Sequence, residues 1–111
     1  MTARERADAF ATCAGLYAAE ASHGWLRAEP GASEDAEVRR DGFLDLVAAA
    51  APGAEGAGRG VSLRAALVQA RLTQRHLLER AAFAPRAEDR RTAGRAAALR
   101  RAACDRLLLG A

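Results

Sequence analysis

Residues 2–26 read TARERADAFATCAGLYAAEASHGWL, and this stretch decides the fold class. Ala3, Ala7, Phe10, Ala14, Tyr17, Ala21 and Gly24 follow one another at alternating steps of 4 and 3, a heptad seam that Trp25 and Leu26 close. On a helix these steps place every member on one face. Thr2 and Glu5 form a capping box, T-x-x-E, in which each side chain satisfies the other's backbone N–H. A helix over about residues 2–28 follows, stopping before Pro30 and Gly31, which disfavour its continuation.

Working outward, Ser33 is a candidate cap for a second helix over 34–51, with Glu34, Asp35 and Glu37 where the helix dipole favours negative charge. Phe43, Leu44, Leu46, Val47, Ala50 and Ala51 give that helix a broad apolar face, and Pro52 stops it. Residues 52–60, PGAEGAGRG, hold four Gly in nine positions and read as a flexible linker. Ser62 is a candidate cap for a third helix over 62–84, whose seam is Leu63, Leu67, Ala70, Gln74, Leu77, Ala81 and Ala84. Pro85 ends or kinks it and is placed to open a fourth helix over 86–109, with Glu88 and Asp89 early and Gly110 as its C′ residue. No segment alternates like a strand. The reading is one all-α domain over 1–111, an antiparallel four-helix bundle or two packed helical hairpins.

Composition makes the core thin. Of 56 hydrophobic residues, 31 are Ala, leaving 25 larger apolar side chains with one Trp and one Tyr. Each Ala methyl buries far less than the ~1.5 to 3 kcal/mol worth of a Leu or Phe, so the sequence predicts a marginal monomer whose burial an oligomer or partner completes. Lys, Ile and Asn are absent and all 17 basic residues are Arg, the bias of a GC-rich bacterial genome, so the Arg excess carries little chemical meaning by itself. Residues 1–58 carry 5 Arg against 10 acids, net −5, and residues 59–111 carry 12 Arg against 4 acids, net +8. That asymmetry predicts an acidic hairpin packed beside a basic one, or a basic surface for nucleic acid or an acidic partner.

The first residues offer no apolar signal segment, and no run approaches the ~18 apolar residues of a membrane span. A cytoplasmic location is expected, with no membrane partner. Cys13 and Cys104 lie far apart with no CxxC and no neighbouring His, so the sequence indicates neither a zinc site nor a disulfide framework. Both read as small buried hydrophobes.

Candidate chemistry is sparse. Glu20-x-x-His23 and His76-x-x-Glu79 each put a carboxylate and an imidazole on one helix face, as ferritin-like metal sites do. The second and fourth helices offer no matching inward Glu, however, and solvated pairs are the better reading. The run from His76 to Arg80 keeps only the His and Leu of a histidine phosphotransfer pattern, with Glu79 where a cation would be needed. The glycines of 53–60 lack the strand and the Lys-Ser/Thr pair of a phosphate-binding loop. Arg86, Arg90, Arg91, Arg95, Arg100, Arg101 and Arg106 could track phosphates along the last helix, but no aromatic residue is interleaved for base stacking. No nucleophile and base can be paired from spacing, so no enzyme and no cofactor is read.

Two segments resemble the flagellar export chaperones of the FlgN and FliT type: Arg39-Arg40-x-x-Phe43-Leu44-x-Leu46, and Leu67-x-x-x-Arg71-x-x-Gln74-x-x-Leu77-Leu78. Together they cover about forty residues, with Arg71 and Gln74 where that family usually has Asn. The resemblance implies a small cytoplasmic helical protein that holds an amphipathic helix of a flagellar structural protein, with Leu67, Ala70, Gln74, Leu77 and Leu78 as the client-binding face. The residues point the same way on their own account. An unpartnered buried amide costs on the order of 1 to 3 kcal/mol, so Gln74, interrupting an apolar seam, is expected where water or a partner can reach it. The expected function is a non-enzymatic interaction module, with nucleic-acid or metal binding as the alternatives.

Overall fold

A computed structural model describes residues 1–50 and 59–109. Within them run four helices, α1 (Ala3–Leu26), α2 (Pro30–Ala50), α3 (Arg59–Phe83) and α4 (Ala87–Leu108), in a body of about 45 × 25 × 24 Å. The all-α bundle is as the periodicity requires. Pro52, most of the Gly-rich linker, Ala51 and Gly110 lie outside the described residues.

Helix α1 is the central element. It packs against α2 and α3 along much of its length, while α4 lies chiefly on α3. The seam supplies the reason: Ala7, Ala14, Tyr17, Ala21 and Gly24 are all buried, as are Ala11, Leu16 and Ala19 on adjoining faces. Small residues on several sides let backbones come close. A Cβ on Gly15 would stand 2.0 Å from the Leu67 carbonyl oxygen, so only glycine allows this crossing of α1 and α3. Leu63 shares a cluster with Ala7 and Ala11, and Gln74 meets Glu20 further along, so α1 and α3 run parallel and α2 and α4 run back. Trp25 and Leu26, expected to close the seam, are instead exposed at 51% and 85%.

The α1 start keeps one half of the capping box: the Thr2 hydroxyl accepts the Glu5 N–H at 3.1 Å, while the Glu5 carboxylate accepts from the Thr2 hydroxyl at 3.1 Å in place of the Thr2 backbone N–H. The α1–α2 turn departs from the reading. Ala28 adopts φ 55°, and paired bonds from Ala28 N–H to Trp25 O and Glu29 N–H to Gly24 O close a Schellman turn without its usual glycine. Pro30 then begins α2, a position its fixed φ suits, four residues before the expected start at 34. Ser33 is therefore no cap. It is fully buried inside the first turn of α2, its Oγ donating to Ala21 O at 3.0 Å, and Gly24 makes room for it.

Helix α3 begins at Arg59, not 62, so Ser62 also sits inside a helix. Pro85 does not open α4: residues 84–86 are the connection, and Arg90 Nη1 donates to Ala84 O at 2.7 Å and Pro85 O at 3.1 Å, answering the open carbonyls after α3. Arg86 caps α4 with no side-chain bond, while Glu88 and Asp89 sit in its first turn.

The largest correction concerns the cysteines. Cys13 and Cys104 form a disulfide with Cα atoms 5.6 Å apart, joining α1 to α4 across 91 residues of sequence. They are buried, at 3% and 4% exposure, but they are not free thiols packed as hydrophobes. Beside them Tyr17 stacks on Phe43 with ring centroids 6.0 Å apart, and Phe10 meets Phe43 at 6.3 Å. These aromatics provide much of the volume that the Ala-rich core otherwise lacks.

Candidate functional site

The α3 seam expected to face a partner is turned into the bundle. Ala70 and Leu78 are buried, Leu67 and Leu77 are partly so, and Leu67 packs on the core cluster around Tyr17 and Phe43. Gln74 is 0% exposed and fully engaged. Its Nε2 donates to Glu20 Oε2 at 2.8 Å and to Ala97 O at 3.3 Å, and its Oε1 accepts from Arg100 Nε at 2.9 Å. Arg101 Nη1 completes the group by donating to Glu20 Oε2 at 3.0 Å. The amide thus ties α1, α3 and α4 together. The expectation that it lies open to water or a partner fails because two other helices, α1 and α4, supply the partners that spacing along one helix could not reveal.

Glu20 is thereby committed to an internal network and leaves the ExxH pair. His23 and Glu79 face a cleft, whereas His76 stands exposed and does not line it. Among the described residues no three His, Cys, Asp or Glu side chains come together. The four candidate metal ligands therefore do not converge.

The cleft itself, about 660 Å³, opens between the C-terminal halves of α1 and α3. From α1 it takes Ala19, Ser22, His23 and Leu26, and the neighbouring Arg27. Arg71, Arg75, Glu79 and Phe83 line it from α3 at steps of four, one straight row spanning roughly 18 Å. Leu26 and Phe83, the latter 70% exposed, give it an apolar mouth, and the Arg27 guanidinium sits 5.8 Å over the Phe83 ring. Arg75 Nε meets Glu79 Oε1 at 2.9 Å, so the one carboxylate that lines the cleft among the described residues is already paired. Arg27 shares the exposed Glu29 at 3.4 Å, and Arg71 has no carboxylate partner among the described residues. The result is an apolar trough with a positive rim. Sequence reading placed Arg71, His23 and Glu79 in other roles and missed Leu26 and Phe83. The signal was present in the i, i+4 row from Arg71 to Phe83, but a helical row says nothing of which neighbour it faces.

On the opposite flank Tyr17, 1% exposed, donates its hydroxyl to the Asp105 carboxylate, while Arg39 lies 5.7 Å over its ring and 3.9 Å from Asp105. Burial, reinforced by the hydrogen bond and the Asp105 charge, holds the phenol well above its ordinary pKa. This is a structural clamp. Of the seven Arg expected to track phosphates, Arg90, Arg100 and Arg101 are spent on internal bonds.

No protein-family model matches the chain, and neither a curated protein nor a solved structure matches it.

Proposed function

We propose that the protein is a non-enzymatic interaction module that seats an acidic amphipathic helix of a partner protein in the α1–α3 cleft. The observation that carries this reading is the exposed Leu26–Phe83 mouth beside the row Arg71, Arg75 and the rim Arg27. A groove of roughly 18 Å takes about three turns of helix, with apolar anchors at i, i+3 or i+4, and i+7 along the trough and carboxylates toward the rim. The client-binding role implied by the FlgN and FliT resemblance moves, on this reading, from the Leu67–Leu78 seam to the neighbouring face of α3. A segment of a flagellar export client is then one such partner. Cytoplasmic residence accords with a chain in which no described helix is long and apolar enough to cross a membrane. It places the Cys13–Cys104 bond in a thiol-rich compartment, where few structural disulfides persist.

The test is titration of a labelled acidic amphipathic peptide of about 12 residues, matched to the cleft length, followed by fluorescence anisotropy. Binding should weaken with salt, and Leu26→Ser with Phe83→Ser should weaken it at least about tenfold, ~1.4 kcal/mol. Arg71→Glu should abolish much of the salt dependence. A peptide that does not bind, or binds regardless of these substitutions, would overturn the reading.

A second reading, nucleic-acid binding through α4, is favoured by Arg86, Arg91 and Arg106, which have no carboxylate partner among the described residues. It predicts affinity falling steeply with salt in proportion to the phosphates contacted. Lack of any duplex or single-strand binding at about 50 mM salt would remove it.

A further inference from the structure

Cys13 and Cys104 are only 3% and 4% exposed, yet both line a concavity. This second, shallower hollow of about 260 Å³ lies on the α1–α4 flank, and its wall includes Ala9, Ala103, Leu107 and Arg100. Two of these are methyl groups, with Ala103 exposed and Ala9 half-buried, so part of the wall beside the cysteines is small, with Thr12 and Leu16 completing it. Arg100 stands one helical turn before Cys104. Its Nε is bound to Gln74, but its two Nη groups have no partner among the described residues. A disulfide beside an apolar hollow, with a guanidinium held by Gln74 through Nε and keeping its two Nη groups for a ligand, has the parts needed for thiol exchange: room for an attacking sulfur, and positive charge for the thiolate that leaves.

We infer that the Cys13–Cys104 disulfide is a thiol-exchange site for a carboxylate-bearing low-molecular-weight thiol, with Arg100 as the group that attracts the reagent and stabilises the departing Cys104 thiolate. The attacking thiolate RS⁻ forms a bond to Cys13 Sγ as the Sγ–Sγ bond breaks, and the electron pair leaves on Cys104 Sγ, one turn from Arg100. The product is a Cys13–S–SR mixed disulfide and a Cys104 thiolate. A second RS⁻ attacks the sulfur of the bound R group, releasing RSSR and a Cys13 thiolate, and each protein thiolate takes up a proton from water. Two thiols are oxidised and one protein disulfide reduced. The consequence is local, because α4 touches α1 at few other places, and opening the bond leaves the Tyr17–Asp105 and Glu20–Arg101 contacts, with Leu107 against the core cluster, among the links between those helices. This inference does not depend on what the α1–α3 cleft binds.

The experiment exposes the folded, oxidised protein to reduced glutathione, which is anionic, and in parallel to cysteamine, which is cationic. Rates are corrected for thiolate fraction and adducts are mapped by mass spectrometry after alkylation. Glutathione should react several-fold faster than cysteamine, with the first adduct on Cys13. Arg100→Gln should erase that preference, while Arg106→Gln, with the same charge loss outside the concavity, should keep it. Ala103→Leu, which fills the mouth and leaves the charge in place, should slow both reagents and covers the case in which Arg100→Gln fails to fold. Equal corrected rates for the two thiols in the native protein, a first adduct on Cys104, or exchange no faster than global unfolding would each overturn the proposal.

Discussion

The seam between α1 and α2 and the seam between α1 and α4 solve the same problem in opposite ways. Along the first, Ala14, Tyr17 and Ala21 of α1 meet Ala36 and Phe43 of α2 in one cluster, the helices lie close over much of their length, and a three-residue turn joins them. Along the second, backbones approach at few positions, and the connection runs through specific groups: a disulfide, a phenol on a carboxylate, and a carboxylate shared by an amide and a guanidinium. The first seam is a matter of area removed from water. The second is made of a few directional links, each strong in place and costly to leave half-made. A chain with few large apolar residues can complete one face of its central helix by packing, and must bridge another by chemistry.

Breaking the second seam covalently should give the largest effect. Replacing both cysteines by Ser removes a link that closes a loop of 91 residues, and should lower stability by about 4 kcal/mol in urea unfolding. An unchanged midpoint would mean the bond adds nothing to α4 docking. On the first seam, Phe43→Ala deletes a fully buried ring stacked on Tyr17 and should cost about 3 kcal/mol. A loss under about 1 kcal/mol would show that the site collapses around the vacancy and that the packing contrast is overstated.

Gln74→Leu sharpens the comparison further. Leu supplies apolar volume but leaves Glu20 without one donor and Arg100 Nε without its acceptor, so stability should fall by about 2 kcal/mol. A gain in melting temperature would instead mark Gln74 as an uncompensated polar group in a packing seam. Tyr17 belongs to both seams, and its raised pKa sets a pH signature. Below about pH 10 the phenol is neutral folded and unfolded. Above it, the unfolded chain ionises first, so stability should fall by about 1 kcal/mol per pH unit until the folded pKa is passed. Tyr17→Phe should flatten that loss. Because Tyr17 is the only tyrosine, its phenolate absorbance can be read directly, and ionisation near pH 10 in the folded protein would contradict the buried clamp.

Much of the first seam was legible in the sequence. The heptad spacing of α1, the Thr2 cap and the four-helix class follow from periods of three and four that any helix must show. Most of the second seam was not. Cys13 and Cys104 are 91 positions apart, and their pairing depends on how α1 and α4 register in space, which no local pattern encodes. Gln74 looked like a misfit because its three partner residues come from α1 and α4. The same blindness hid the cleft, since the Arg71–Phe83 row acquires meaning only opposite Leu26 of α1. Ser33 was misassigned for a simpler reason: Pro30 is as good a helix opener as it is a helix breaker, and the tight Ala28 turn decided between them.

The contrast between the seams is tested most directly by native-state hydrogen exchange on the Cys13→Ser/Cys104→Ser protein, comparing amides of α2 with those of α4 under conditions where the fold persists. The account predicts that α4 amides lose protection by more than about tenfold relative to the oxidised parent while α2 amides keep theirs up to the reduced global stability, because extensive packing holds α2 without the disulfide and α4 opens as a separate unit. Equal loss of protection in α2 and α4 would contradict it, showing that the two seams open together and that the disulfide acts on the whole chain without singling out α4.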